Sequence, residues 1–580
     1  MKKIYTDEEN IQILIALLKE HDIKKVIVNP GTTNISFVAS IQSDDYFEIY
    51  SCVDERSAAY MACGLSEESG EPVVLTCTGA TASRNYISGL TEAFYKKIPV
   101  IAVTATQHIG RVGQNVPQVI DRSIQMKDIV KKSIQLNIVH SDEDRWSSNL
   151  KVNDVLLECR RNGGGPVHIN METTYSNNFY IGDVPKQKKI NRYTLDDDFP
   201  KIESKKRVAI FIGNHLPFSN ELTKSIEEFC EGYNAIVICD HSSNYNGKYK
   251  ILGSLINSNG KVHFKNMDLI IDIGNISGAY MSYSSKEIWR VNPDGEIRDT
   301  YKKMTKVFAM SELKFFSEYN KMSQNTDTSN YEEFIIEDNK LREKLDNLEL
   351  PFSNPYIAKN IINKIDNNSV VHLAILNTLR SWNYFKTDKL IRFYSNTGGF
   401  GIDGILSTAV GTSLGTDKLV FCFIGDLAFF YDMNAIGNKN IKNNLRVLLI
   451  NNGCGSEFHL FNHRATKVTK DNDLSIEYIA ADGHFGNKSD ELVKHYAEDL
   501  GFEYLSAKNK EEFLKNLDEF IKVKTSKPII FEVFTTPEDE SEAQELISKL
   551  EVNAETMTKN AIKNLLGDKG VKIAKKIIGK

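Results

Sequence analysis

No uninterrupted apolar run in this 580-residue chain approaches the length needed to span a bilayer. The opening MKKIYTDEENIQ lacks the long apolar core of a secretory signal. Together these absences predict a cytoplasmic protein. No CxxC pair occurs among the eight scattered cysteines, and Cys77, Cys239 and Cys422 fall inside apolar strand patterns. They read as reduced core residues, not as disulfides or a zinc site. Charge of one sign is not in large excess, with a net charge of −6. That leaves no electrostatic footprint for nucleic acid. No GxGxxG follows a strand, so a dinucleotide fingerprint is missing. Nor is there an internal repeat.

What is present is an ordinary globular composition, 41% hydrophobic and 26% charged, long enough for about three or four domains. Residues 1–184 alternate helix and strand. Thr6 and Glu9 read as a capping box before IQILIALLKE. The strands VIVNPG, FEIYSCV, PVVLTCT, PVIAVTA and GGGPVHINM then alternate with helical segments, the pattern of a doubly wound parallel sheet. Pro185 to Lys206 reads as a polar linker. A second α/β unit, 185–349, contains RVAIFIG, AIVICD, MDLIIDIG and EIWRVN. Its end, Asn325 to Asn347, is polar enough to read as another linker. A third unit, 350–537, carries SVVHLAIL, KLIRFYSN, KLVFCFIG, RVLLINN and KPIIFEVF. The tail, 538–580, reads as helical. In VKIAKKIIGK, Val571, Ala574 and Ile578 fall near one face, the pattern of a short helix packed on its own protein or a sister subunit.

The third unit holds the most specific signal. The apolar run Leu419–Ile424 ends in Gly425–Asp426, and Arg446–Ile450 ends in Asn451–Asn452–Gly453. Two parallel strands joined by a crossover bring Asp426 and Asn452 to one carboxyl edge, where open α/β sheets bind ligands. Both offer hard oxygen donors, the kind Mg²⁺ takes together with phosphate oxygens. In the first unit, Glu55 stands just beyond a strand, opening a helix. A carboxylate there is commonly a helix-start residue.

Gly-Asp and Asn-Asn at this spacing resemble the motif of thiamine diphosphate-dependent enzymes, with Leu427 in place of the usual glycine. VDERSAAYMACGLSEESGEPVVLTCTGATASRNY, NPGTTNISF, GPVHINME, NTGGFGIDGILSTAVG and GDLAFFYDMNAI resemble one branch, the SEPHCHC synthases of menaquinone biosynthesis. The resemblance covers residues 5–537. It implies pyrimidine-binding, central and diphosphate-binding domains, and a homodimer or homotetramer with active sites at the subunit interface. It makes Glu55 the cofactor-activating carboxylate and places Gln118 at the cofactor's reactive end. Asp426, Asn452 and the Cys454 carbonyl become Mg²⁺ ligands. Thr78, Asn85, Ser395, Asn396, Gly401, Ile402, Asp403, Gly425, Leu427 and Ala428 become cofactor contacts.

The chain departs from that branch where arginine is expected, at Thr33, Gln107 and Thr397. Thr and Gln cannot reproduce a bidentate grip on carboxylate. The substrates are therefore expected to be less anionic: a 2-oxo acid donor and a carbonyl acceptor such as an aldehyde or keto-sugar. Glu457 and His459, in GCGSEFHLFNH, are candidate proton donors. Arg380 and Trp382 are candidate pocket residues. Carboligation, simple 2-oxo acid decarboxylation and a non-catalytic cofactor-binding role remain open, with Glu55 against the last.

Overall fold

In the computed structural model the described residues are 3–203, 207–260, 267–279, 285–323, 328–484 and 489–551. The expected amphipathic stretch of the tail, 571–580, lies outside them. The chain divides into two compact units, residues 1–198 with 294–309, and 199–293 with 310–580.

The first unit is built on a six-stranded sheet ordered Glu48–Ser51, Lys25–Val28, Val73–Cys77, Val100–Thr106, Val167–Glu172, Lys132–Leu136, parallel throughout. Its central strands read as continuous apolar runs because both faces are covered. Val74, Ile101 and Val103 point into a core with helices Glu9–Glu20 and Asp142–Arg160. Val73, Leu75, Val100 and Ala102 point the other way, onto helices Glu55–Ser69 and Ile87–Lys96. This is the expected doubly wound arrangement. The capping box at Thr6 and Glu9 does not form. Thr6 lies in strand Tyr5–Thr6, and the helix begins after Glu8 with no side-chain cap. Glu8 is instead buried, where Thr173 Oγ1, Thr174 Oγ1 and Ser176 N donate to its carboxylate. Asn191–Tyr193 pairs in parallel with Met304–Phe308, so the first expected linker contains a strand.

The second unit contains two parallel sheets. One runs Lys250–Leu252, Ala235–Cys239, Val208–Ile212, Met267–Ile273, Ser285–Val291. The other runs Arg392–Tyr394, Val370–Leu373, Val420–Gly425, Leu445–Asn451, Ile529–Phe534, Glu503–Ala507. The second expected linker is largely a helix, Ser329–Asp346, that buries Phe334, Leu341 and Leu345. It also buries Asp338, paired with Arg342 at 3.0 Å. Helix Pro537–Ser548 opens the tail, as expected. No described helix is long and apolar enough to cross a membrane.

Candidate active site

Strand Val420–Gly425 is buried from Val420 to Ile424, and its register against Leu445–Asn451 sets Gly425 opposite Ile450. The residues that follow each strand therefore meet. Asp426 opens helix Asp426–Asp432 and is only 3% exposed. Its Oδ2 accepts from Gly453 N at 2.6 Å and Asn452 N at 3.1 Å, and its Oδ1 accepts from Leu427 N at 2.7 Å. Burial pushes the Asp426 carboxyl up to about 6, while those backbone donors act in the opposite direction. Strand alternation separates the two asparagines. Asn451 is buried and donates to Glu532 Oε1 at 2.7 Å, and Tyr504 donates to the other Glu532 oxygen at 2.7 Å. Asn452 is half-buried, with its Oδ1 approached by the Cys454 thiol at 3.7 Å. A desolvated carboxylate and an amide side chain at adjoining strand ends make a hard oxygen donor pair. It fits a divalent cation such as Mg²⁺.

The neighbouring strand end supplies a loop. Ser395 Oγ is buried and has no hydrogen-bond partner among the described residues. Asn396 Nδ2 donates to Thr408 Oγ1 at 3.2 Å. Phe400 and Gly404 adopt φ of 55° and 81°. A Cβ on Gly401 would sit 2.2 Å from Asp403 Oδ1, so a side chain there would displace the Asp403 carboxylate. Ile402 packs against the core of this sheet. Helix Ile405–Leu414 then starts, and Asp432 accepts from Ser407 N at 2.7 Å and Ser407 Oγ at 2.5 Å. That contact ties the loop's helix to the helix that begins at Asp426. Ala428 is buried under the same junction. Gly398, Gly399 and Gly425 face open space, leaving bare backbone for a close approach by phosphate.

In the first unit, Asp54 Oδ1 caps helix Glu55–Ser69 by accepting from Ser57 N at 2.7 Å. Glu55, the first helical residue, is half-buried, and its Oε2 accepts from Asn85 Nδ2 at 3.2 Å. Thr78 Oγ1 lies 2.9 Å from Thr33 Oγ1, which accepts from Gly79 N at 3.0 Å. Gln118 is exposed with φ of 64°. Its carbonyl oxygen would be 2.8 Å from a Cβ on Gly79, so glycine there admits the Gln118 turn. The fold thus joins Glu55 with Asn85, and Gln118 with the Thr78–Gly79 turn. Thr33 is buried inside this network, and Gln107 accepts from Arg111.

Glu457 sits in a bidentate pair with Arg380, Nη1 to Oε2 at 2.7 Å and Nη2 to Oε1 at 2.8 Å. The pair lines a cavity of about 200 Å³ with Tyr384 and Gln544. Trp382 does not line a pocket: it is fully buried, 4.1 Å from the Phe423 ring. His459 Nε2 lies 3.1 Å from Asp482 Oδ1. Reading the sequence missed Asp432, Glu532 and Asp482, which hold site residues in place. Each acts across a long sequence gap, and no local motif marks it.

The parallel sheets and the Asp426–Asn452 junction agree with a thiamine diphosphate-dependent enzyme, the class that the similarities to known proteins show. Residues 10–126 match the family model "Thiamine pyrophosphate enzyme, N-terminal TPP binding domain". The 2-succinyl-5-enolpyruvyl-6-hydroxy-3-cyclohexene-1-carboxylate synthase of Bacteroides thetaiotaomicron is 30% identical over 561 residues, covering 92% of this chain and 97% of that protein. The Phocaeicola vulgatus enzyme of the same name is 29% identical over 562 residues, covering 93% and 97%. A solved structure of the thiamine diphosphate-dependent 4-hydroxybenzoylformate decarboxylase of Rhodococcus jostii aligns with a TM-score of 0.39 at 16% identity, over 91% of this chain and 99% of that one. At that TM-score it adds nothing to the assignment. Within the thiamine diphosphate-dependent enzymes, the chain belongs to the family of these carboxylate synthases.

Proposed function

We propose that the protein is a cytoplasmic, Mg²⁺-dependent carboligase that decarboxylates a 2-oxo acid and transfers the acyl fragment to a carbonyl acceptor. The Asp426–Asn452 junction carries this reading. When bound, thiamine diphosphate supplies a carbon nucleophile that accommodates the electron pair left as carbon dioxide departs. Asp426, Asn452 and the Cys454 carbonyl would hold the cation that anchors its diphosphate, with Gly425, Leu427 and Ala428 beside it. Ser395, Asn396, Gly401, Ile402 and Asp403 would line the cofactor. Glu55, steadied by Asn85, would hold a proton at a pyrimidine nitrogen. Gln118, on the turn beside Thr78, would orient the donor. The assignment of residues 1–184, 185–349 and 350–537 as pyrimidine-binding, central and diphosphate-binding domains belongs to this proposal. So does a homodimer or homotetramer with interfacial sites.

Thr33, Gln107 and Thr397 offer no guanidinium to a dicarboxylate, which supports a less anionic substrate pair than that of the named relatives. Arg380 engages both oxygens of Glu457, and His459 pairs with Asp482. The Arg380 pair engages Glu457, whereas a histidine oriented by a carboxylate is a usual arrangement for proton transfer, so simple decarboxylation stays the alternative.

Two measurements test the reading. Calorimetry should show tight thiamine diphosphate binding with Mg²⁺ that is lost in excess chelator and in Asp426→Ala; equal affinity in chelator would sink the metal bridge. Product analysis of pyruvate with aldehyde or keto-sugar acceptors should give carboligation products. Acetaldehyde alone would establish the decarboxylase instead, and turnover of 2-oxoglutarate with isochorismate would refute the substitution argument.

A further inference from the structure

Cysteine spacing along this chain contains no zinc motif, yet the fold gathers one from residues that spacing does not connect. Ligand atoms of Cys454, His459 and Asp482 all lie within 4.8 Å of one another, with His459 Nε2 and Asp482 Oδ1 3.1 Å apart. A tetrahedral ion with bonds of about 2.0–2.3 Å holds its ligands about 3.3–3.8 Å apart, so shifts of about 1 Å or less bring these atoms to ligand spacing. One thiol, one imidazole and one carboxylate make a mixed sulfur, nitrogen and oxygen set. Mg²⁺ disfavours such a set, and Zn²⁺ or a chemically similar transition ion prefers it.

The backbone that carries these groups is fixed in advance. Gly455 N donates to Ala480 O at 2.6 Å, and Gly483 N donates to Gly453 O at 3.0 Å. The two hydrogen bonds clamp the segment of Cys454 against the segment of Asp482. A Cβ on Gly455 would lie 2.9 Å from the Phe458 ring and 3.2 Å from Ala480 O, so the clamp closes only on glycine. Thr466 Oγ1 donates to Phe458 O at 2.8 Å, holding the turn that presents His459. Cys454 is 4% exposed, while His459 borders a cavity of about 720 Å³ with Asp473, Glu538 and Glu542 on its wall. Of the three groups only His459 lines that cavity, and water entering beside it could supply a fourth ligand.

We propose that Cys454, His459 and Asp482 form a second divalent-cation site, specific for Zn²⁺-like ions and chemically distinct from the oxygen-only Asp426–Asn452 junction. Binding releases the thiol proton to solvent and replaces the His459–Asp482 contact with two metal bonds. The occupied site pins the turn of Cys454–His459, immediately after Asn452, to the segment of Asp482. This inference does not depend on the cofactor reading.

The probe is Co²⁺, added to chelator-stripped full-length protein in the presence of excess Mg²⁺. One equivalent should produce a near-ultraviolet thiolate-to-cobalt charge-transfer band and the intense visible bands of four-coordinate cobalt, and Zn²⁺ should abolish both. Cys454→Ser should lose the charge-transfer band. His459→Gln and Asp482→Asn should weaken cobalt binding by at least about tenfold, the scale seen when even a supporting group of a metal site is removed. Cys52→Ser, which removes a partly exposed free thiol, should change nothing. Circular dichroism checks that each variant folds, and if Cys454→Ser does not, the His459 and Asp482 variants decide. The proposal is overturned if wild type binds no cobalt at micromolar concentrations. It also fails if excess Mg²⁺ displaces the cobalt, or if the charge-transfer band survives in folded Cys454→Ser.

Discussion

Glu55 is a residue whose two readings differ only in what its carboxylate touches. As a helix-start residue it would serve the dipole alone, and a neutral isostere would cost little. As the cofactor-activating group it must hold a proton at a specific ring nitrogen. Glu55→Gln should therefore slow deuterium exchange at the cofactor's reactive carbon by at least about a hundredfold. Thiamine diphosphate affinity should stay near wild type, because the Asp426–Asn452 anchor is untouched. Exchange at the wild-type rate, read by NMR after acid quench, would return Glu55 to the helix-start reading. Asp426 and Asn452 were legible in the sequence because each closes an apolar strand, and strand direction alone brings such ends together. Arg380 opposite Glu457 was not, since the two are separated by 77 positions and meet only through the sheet order. The resemblance singles out Asn452, and the structure adds that the Asn451 side chain is engaged with Glu532.

At the scale of elements, helix Glu55–Ser69 is set by its contact with helix Ile87–Lys96. A Cβ on Gly89 would fall 2.4 Å from Ala59 Cβ and 2.8 Å from the Ala59 carbonyl carbon. Gly89→Ala should force the helices apart and lower stability by about 1–3 kcal/mol, the usual cost of overpacking. Chemical denaturation measures that loss, and an unchanged midpoint would contradict the tight crossing. Helix Pro537–Ser548 carries a second test. Burial pushes the Glu540 carboxyl up to about 7, against donors from Asn354 N, Thr535 and Asn377. The unfolded chain releases that proton near the ordinary glutamate value, and the folded chain only near 7. Stability should thus fall as pH rises from about 4.5 to about 7 and level off above, by an amount on the order of 3 kcal/mol. Glu540→Gln should flatten that slope in denaturation curves; an identical slope would remove Glu540 as its source. Most strands were legible as apolar runs, because sheets covered on both faces need them. The polar helix Ser329–Asp346 was not, because it buries a narrow stripe and spends Asp338 on an ion pair. Edge strands Lys132–Leu136 and Glu503–Ala507 escaped for a related reason, being only partly buried.

Across the whole molecule, Glu55 and Asp426 belong to different compact units. If an active site takes one from each of two subunits, defects in the two are complementary. Co-refolding equal amounts of Glu55→Gln and Asp426→Ala chains should restore about a quarter of wild-type activity: in a dimer half the assemblies are mixed, and each mixed assembly regains one intact site. No recovery on mixing, with mixed dimers verified by tag capture, would place both groups of each site in one chain. The Thr33 network has a consequence of a different kind, for what position 33 can hold. Thr33 is 3% exposed, and its hydroxyl joins Thr78 and Gly79. An arginine placed at that position would bury a guanidinium where a methyl and a hydroxyl now fit, and would break the turn that admits Gln118. Thr33→Arg alone is therefore expected to destabilise the fold. An arginine at position 33 is admitted only once the turn around residues 78–79 has been rebuilt.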